Sequence, residues 1–377
     1  MTTILVAGDF VPIERIQSLL DKELYEDVFS DVQPFIGETD FSVVNLEAPI
    51  ANRNASPITK VGRNLQSSES VIGALKYVGF KCVTLANNHF YDYGEDGALN
   101  TMTLLKKNGI DYIGAGKDEE AAGKAFYAKI GNETVAIINC CEHEYSIAGK
   151  NHAGSNPLHP ISLYYSIRDA KENADYVLLI VHGGIEHYQL PTSRMQQTYR
   201  YAIDCGADAV INHHQHCYSG YEIYKDRPIF YGLGNFCFDK KSKRDNNWNE
   251  GYMVNLKFSK EGVFYEMIPY IQCNHEAKVK VMDKKQENQF YERIMQLNSI
   301  IEDPKELETN FNVFVGKTRK SFDPIIPYTG RWLKTLYRRG FLPTLIPKRK
   351  LLEIQNKMRC ESHLERLLYI IDLRINK

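Results

Sequence analysis

The sequence lacks several signatures that would place it in familiar classes. It has no Cys-x-x-Cys pair, and its eight cysteines are scattered at positions 82, 140, 141, 205, 217, 237, 273 and 360. Several sit inside apolar runs such as IINCCEH and NFCFD, which reads as reduced core thiols in a reducing compartment. Adjacent Cys140 and Cys141 face opposite sides of a strand, so they cannot easily chelate one ion together. No apolar run reaches the roughly 18 residues of a membrane span. The amino terminus opens directly on TTILVAGDF, with no basic region and no cleavable apolar segment. The expectation is a cytoplasmic protein without signal peptide or transmembrane helix, at most peripheral at the inner membrane face. Gly-x-Gly-x-x-Gly in a strand-to-helix setting is missing, which removes the dinucleotide fingerprint. The 24 tyrosines do not alternate with Lys or Arg in a stripe, so no nucleic-acid platform is expected. Internal repeats and low-complexity tracts are absent.

What is present is ordinary in bulk and uneven in detail. The 377 residues are 43% hydrophobic and 25% charged, typical of a globular chain. Net charge is −1, yet residues 317–377 carry 15 Lys/Arg against 5 Asp/Glu. A mildly acidic body thus bears a basic carboxyl-terminal segment, suited either to solvated helix faces or to an anionic surface. Within it Trp332, Leu336, Tyr337 and Phe341 are interleaved with Arg331, Lys334, Arg338 and Arg339. That mixture fits an interfacial segment touching a membrane surface or a biosynthetic partner.

Residues 1–275 alternate strand and helix signals, and residues 276–377 read as a helical, basic extension. Apolar runs predict strands at ILVAGD, FSVVNLE, KCVTLAN, DYVLLIVH and ADAVINH. SSESVIGALKYVG predicts a serine-capped helix stopped by Gly79, and EDGALNTMTLLKKNG a helix ending at Gly109. Hairpins are predicted across Gly131 and Asn132, near Lys225–Asp226, and at Glu261–Gly262. KKQENQFYERIMQLNSIIED, RWLKTLYRRGFL and KRKLLEIQNKMRCESHLERLLYIIDLRI predict the late helices. Parallel βαβ units followed by antiparallel hairpins predict a mixed α/β fold with two sheets face to face.

The chemistry lies at the strand ends. VAGDF ends in Asp9, VVNLE in Asn45 and Glu47, CVTLANNHF in Asn88 and His89, and LLIVHGGIEHY in His182 with Glu186 and His187. AVINHHQH adds His213, His214 and His216. Ligands of open α/β sheets bind outside the carboxyl ends of the strands. Imidazole and carboxylate groups converging there suit one or two divalent cations of the Mn, Fe or Zn type. His213 is expected to point away from the pair that flanks it.

The segments GDF, NLEAP, LANNHFYDYG, HGGIEHY, NHHQH and PIFYGLGNF together resemble the CapA family of capsule and poly-γ-glutamate biosynthesis proteins, relatives of the calcineurin-like metallophosphoesterases. The resemblance implies a four-layer α/β/β/α sandwich of two mixed sheets. It also implies a ligand set of Asp9, Glu47, Asn88, His182, His214 and His216, with Glu47 bridging two ions and His89 over the substrate as a general acid or charge stabiliser. A hydroxide formed from a shared water would attack a phosphoester or acyl bond, in a surface polymer or a phosphorylated small molecule. A non-catalytic, polymer-handling scaffold is the alternative. Two positions depart from the phosphoesterase pattern: Val11 stands where a histidine ligand is usual, and Glu47 replaces an aspartate. The first departure favours one ion, or a labile second one.

Around this set stand further candidates. Asn45, Asn235, Glu186 and His187 are placed to support the ligands or touch substrate. Lys60 and Arg63 read as anion contacts or as solvated loop cations. Glu142, His143 and Glu144, at the end of another apolar run, read as cleft wall or as solvated loop.

Overall fold

A computed structural model of the chain describes residues 1–52, 54–322, 330–339, 341–343 and 346–375. The side chains of Lys334, Tyr337 and Arg338 lie outside the described residues. The strands, in chain order, are β1 (Thr2–Val11), β2 (Phe41–Leu46), β3 (Cys82–Thr84), β4 (Asp111–Ile113), β5 (Ala115–Gly116), β6 (Phe126–Ile130), β7 (Glu133–Cys141) and β8 (Gly154–Ser155). They continue with β9 (Tyr176–His182), β10 (Ala209–His213), β11 (Tyr221–Tyr224), β12 (Arg227–Phe230), β13 (Asn235–Phe238), β14 (Glu250–Ser259), β15 (Gly262–Gln272) and β16 (Val279–Val281).

One sheet runs β16-β15-β14-β1-β2-β3-β4, with β13 also paired to β1, and a second runs β11-β12-β10-β9-β7-β6. Both are mixed. β1, β2, β3 and β4 are parallel neighbours while β14 runs antiparallel to β1. β7, β9, β10 and β12 are parallel, and β6 and β11 close the edges antiparallel.

Side-chain alternation builds the layers. On β1, Ile4 and Val6 enter a core shared with Leu178 and Ile180 of β9, between the two sheets. Leu5 and Ala7 of β1 face the opposite way, into a core with Val71, Leu75 and Leu105 from helices Ser70–Val78 and Gly94–Lys107. Val177, Leu179 and Val181 of β9 face a third core with Leu163 and Tyr199 from helices Pro160–Asn173 and Ser193–Cys205. A period of two thus makes each sheet apolar on both faces, and the result is an α/β/β/α sandwich. Burying each such side chain stabilises the fold by about 1.5–3 kcal/mol.

The predicted turns form where the residues allow positive φ. Lys225 and Asp226 have φ of 49° and 61° between β11 and β12, the paired left-handed geometry of a tight hairpin. Helix Lys284–Glu302 opens with a reciprocal box between Asp283 and Gln286, which satisfies backbone N–H groups at its start.

Three helical expectations differ. The Ser70–Val78 helix has Glu69 at its cap position and no side-chain cap; Ser68 Oγ instead accepts from Ser70 N at 3.4 Å. The final stretch is two helices, Lys348–Arg359 and Glu361–Ile375, because Cys360 turns extended with ψ of 125°. A helix over Pro304–Phe322 was not anticipated. Its Leu307, Phe311 and Val315 pack with Ile370 into the outer core of the second sheet, so these late helices belong to that outer layer. Among the described residues no helix is long and apolar enough to cross a membrane.

Candidate metal centre

The two sheets bring their strand ends to one buried point. Asp9 lies where β1 shifts register against both β2 and β13, and it is fully buried. Asn45 at the end of β2 donates to Asp9 Oδ1 at 2.7 Å and accepts from Thr84 at 3.1 Å. Glu47, one residue beyond β2, is also fully buried. Among the described residues neither of its oxygens has a hydrogen-bond partner. Its Oε1 lies 3.5 Å from His182 Nε2 and 3.8 Å from His216 Nε2.

From the second sheet, His182 ends β9. Its Nε2 lies 3.0 Å from Asn88 Oδ1 and 3.0 Å from His214 Nδ1. The loop after β10 carries His214 and His216 with φ of 94° and 54°. Left-handed backbone on such residues costs on the order of 1–3 kcal/mol each and is retained where the surroundings demand it. Here it lets alternate histidines turn to one side: the His214 amide donates to Asp9 Oδ2 at 3.3 Å, and His216 Nδ1 meets Asn235 Oδ1 at 3.0 Å. With Nδ1 so engaged, Nε2 of His216 is the nitrogen toward Glu47.

Two donor groups result. Glu47, His182 and His214 each place a ligand atom within 4.8 Å of the others, and so do Asp9, Glu47 and His216. Glu47 is common to both, the arrangement of a bridging carboxylate. Burial raises the Glu47 carboxyl well above its ordinary value. Burial alone would raise Asp9 too, but the hydrogen bond of His216 and the charges of His213 and His182 hold it low. Burial lowers His182, with His214 adding to the effect. Burial opposes charge on His216, yet Glu47 and Asp9 push it up to about 10. A buried carboxylate without a donor is costly, and a divalent cation is the partner that this set of nitrogen and oxygen donors fits.

His89 sits apart from these groups. Its Nδ1 bonds Asp92 Oδ2 at 2.6 Å and lies 3.2 Å from Lys60 Nζ. Lys60 in turn pairs with Asp92. Burial, with Lys60 next, lowers the His89 pKa. A cleft of about 330 Å³ opens here, lined by Lys60, Arg63, Asn88, His89, Glu186, His187, His216, Lys240 and Trp248. Asn235 donates to His216 O at 3.1 Å and Trp248 O at 3.2 Å, fixing the loop.

Not every candidate joins this group. Glu142 turns away, into an ion pair with Arg194 and a 2.9 Å bond from Ser362. His143 bonds Glu361 at 2.5 Å. Both face the carboxyl-terminal helices. Glu144 alone of the three lines the cleft. His213 does not point away: its Nδ1 lies 3.6 Å from Asp9 Oδ1, and neither ring nitrogen has a hydrogen-bond partner among the described residues. Val11 packs among Ile13, Leu65, Phe238 and Trp248. Asp92 was missed; its signal was the i+3 spacing from His89 across the turn.

The model of the bacterial capsule synthesis protein family PGA_cap matches residues 3–240. The chain belongs to that family. It is 30% identical over 246 residues to the capsule biosynthesis protein CapA of Bacillus anthracis, a match covering 63% of this chain and 60% of that one. It is 30% identical over 236 residues to the PGA biosynthesis protein CapA of Bacillus subtilis strain 168, covering 62% of each. This PGA_cap chain therefore spans about three-fifths of the length of those relatives. Among solved structures it is similar to a phosphatase from Mycoplasma pneumoniae, with TM-score 0.45 and 14% identity over 78% of this chain and 98% of the other. A similar degree of likeness holds to a 5'-nucleotidase of Staphylococcus aureus, with TM-score 0.45 and 15% identity over 79% of this chain and 58% of the other.

Proposed function

We propose that this PGA_cap protein is a divalent-metal-dependent hydrolase acting on a phosphoester or acyl bond in capsule or surface-polymer production. The observation that carries the reading is Glu47: a fully buried carboxylate with both oxygens unpartnered, common to two ligand groups from opposite sheets. Asp9, Glu47, Asn88, His182, His214 and His216 would hold one or two Mn, Fe or Zn ions. When bound, such ions supply a water nucleophile at neutral pH and offset charge on the oxygen of the scissile group.

The chain's own residues do the rest. Asp92 holds Nδ1 of His89, so Nε2 is left for the leaving oxygen in the cleft. Lys60, Arg63 and Lys240 on the cleft wall favour an anionic substrate. Asn45 and Asn235 fix Asp9 and His216 and spare the site reorganisation during the reaction.

The scaffold reading is favoured by one observation, Val11 in an apolar cluster where a ligand would otherwise stand. Turnover of a phosphoester and acyl-ester panel with Mn²⁺ added separates the two. Metal-dependent hydrolysis lost in His89→Ala, with ions still bound, is the expected result. No metal-dependent turnover by the wild type, or turnover unchanged in the variant, leaves the scaffold.

A further inference from the structure

Beside that centre the fold gathers a second set of donors. Glu144 follows β7. Cys360 stands at the break between the last two helices, and His363 lies in the first turn of Glu361–Ile375. A carboxylate oxygen of Glu144, the thiol of Cys360 and a ring nitrogen of His363 lie within 4.8 Å of one another. Cys360 is fully buried, while Glu144 and His363 are half-buried and line the same cleft as His89 and His216. Cys360 and His363 fall beyond the matched residues 3–240.

Three features make this more than a chance approach. First, a three-residue step on a helix start sets Cys360 and His363 on one face, and the extended Cys360 backbone aims that face at the β7 loop. Second, the neighbouring Glu142 is already committed to Arg194 and Ser362, although Cys360 Sγ lies 3.5 Å from its Oε2. Glu144 by contrast has one hydrogen-bond partner among the described residues, the neutral amide of Asn356 at 3.3 Å. Burial raises its carboxyl above the ordinary value. Third, a thiolate, an imidazole and a carboxylate form the donor mixture that borderline-soft zinc prefers.

We propose that Glu144, Cys360 and His363 bind a zinc-type ion, separate from the first centre, with its fourth position open to the cleft. Three protein ligands and one open position is the pattern of a site that also takes a water or a ligand group. A cation there offsets Glu144 and Glu186 on the cleft wall and adds a docking point for an anionic group. It also ties the last helix to the strand-end loop. The proposal does not depend on hydrolysis at the first centre.

Cobalt titration of the full chain tests it. The first centre offers nitrogen and oxygen donors alone, so near-ultraviolet thiolate-to-cobalt absorption reports the second. The expected result is such a band saturating at about one equivalent per chain, displaced by Zn²⁺ and absent in Cys360→Ser. Visible cobalt absorption from the first centre should persist in that variant. His363→Gln, which keeps the thiol and guards against misfolding of Cys360→Ser, should weaken the band's apparent affinity about 10-fold or more. No thiolate band in the wild type overturns the proposal. A band retained in Cys360→Ser, or unchanged affinity in His363→Gln, overturns it equally.

Discussion

Asn235 accepts from one nitrogen of His216 and so decides which nitrogen faces Glu47. Removing such a partner commonly weakens metal binding about 10–100-fold. Asn235→Ala should therefore lower Mn²⁺ affinity by that order in calorimetric titration, with Asn45→Ala acting similarly through Asp9. The Asp92–His89 pair belongs to a different step. Asp92→Asn should cut kcat about 100-fold, the lower end for a positioned acid, while the bound-metal content of the purified protein stays unchanged. These residues also mark where the sequence could and could not be read. Asp9, Glu47, His182, His214 and His216 were legible because each closes an apolar run, and a strand end fixes direction. His213 was not, because its orientation depends on the left-handed backbone at His214, which no local pattern announces. Asp92 was hidden in a turn whose shape only the folded contacts define.

At the scale of elements, the approach of β1 to the segment before β13 is so close that a Cβ on Gly8 would stand 1.9 Å from Gly234 O. Gly8→Ala must push these segments apart, and with them Asp9 and Asn235. A loss of about 1–3 kcal/mol in urea unfolding is expected, accompanied by reduced metal retention on dialysis. The last helix is held differently, through Arg194, which bonds Glu142, Ser362 and Glu365. Arg194→Ala leaves the buried Glu142 carboxylate without its cation. That should cost about 3 kcal/mol, the low end for a buried pair because Arg194 is partly exposed; adding Glu142→Gln should restore part of it. The sheet order followed from alternating strands and helices, and the hairpins from their Gly and Asp turns. The outward swing of Glu142 and His143 did not, since their partners lie more than 200 residues away. Nor did the break at Cys360, which carries neither glycine nor proline.

For the whole molecule, a cation that binds the folded chain alone must stabilise it, by about 2.7 kcal/mol at a hundred times its Kd. Thermal unfolding with Mn²⁺ should thus occur above that with a chelator, and Glu47→Gln should narrow the gap. The basic carboxyl-terminal region adds a second, independent expectation. Trp332 and Phe341 are 83% and 71% exposed, on a segment that also carries Arg331 and Arg339. If it meets an anionic membrane, the wild type should float with acidic liposomes and Trp332→Ser/Phe341→Ser should not; equal flotation of both removes the membrane contact.

Asp9 and Glu47 descend from one sheet, His182, His214 and His216 from the other. The centre is therefore a gauge of alignment between the two halves of the sandwich. Sliding one half past its neighbour by a single strand step, about 3.3 Å, would scatter the donors while leaving each half's own ladder of bonds whole. Loss of bound ion would then precede any loss of secondary structure, and an ion-depleted molecule with an intact circular dichroism spectrum would be the first sign that the halves had drifted.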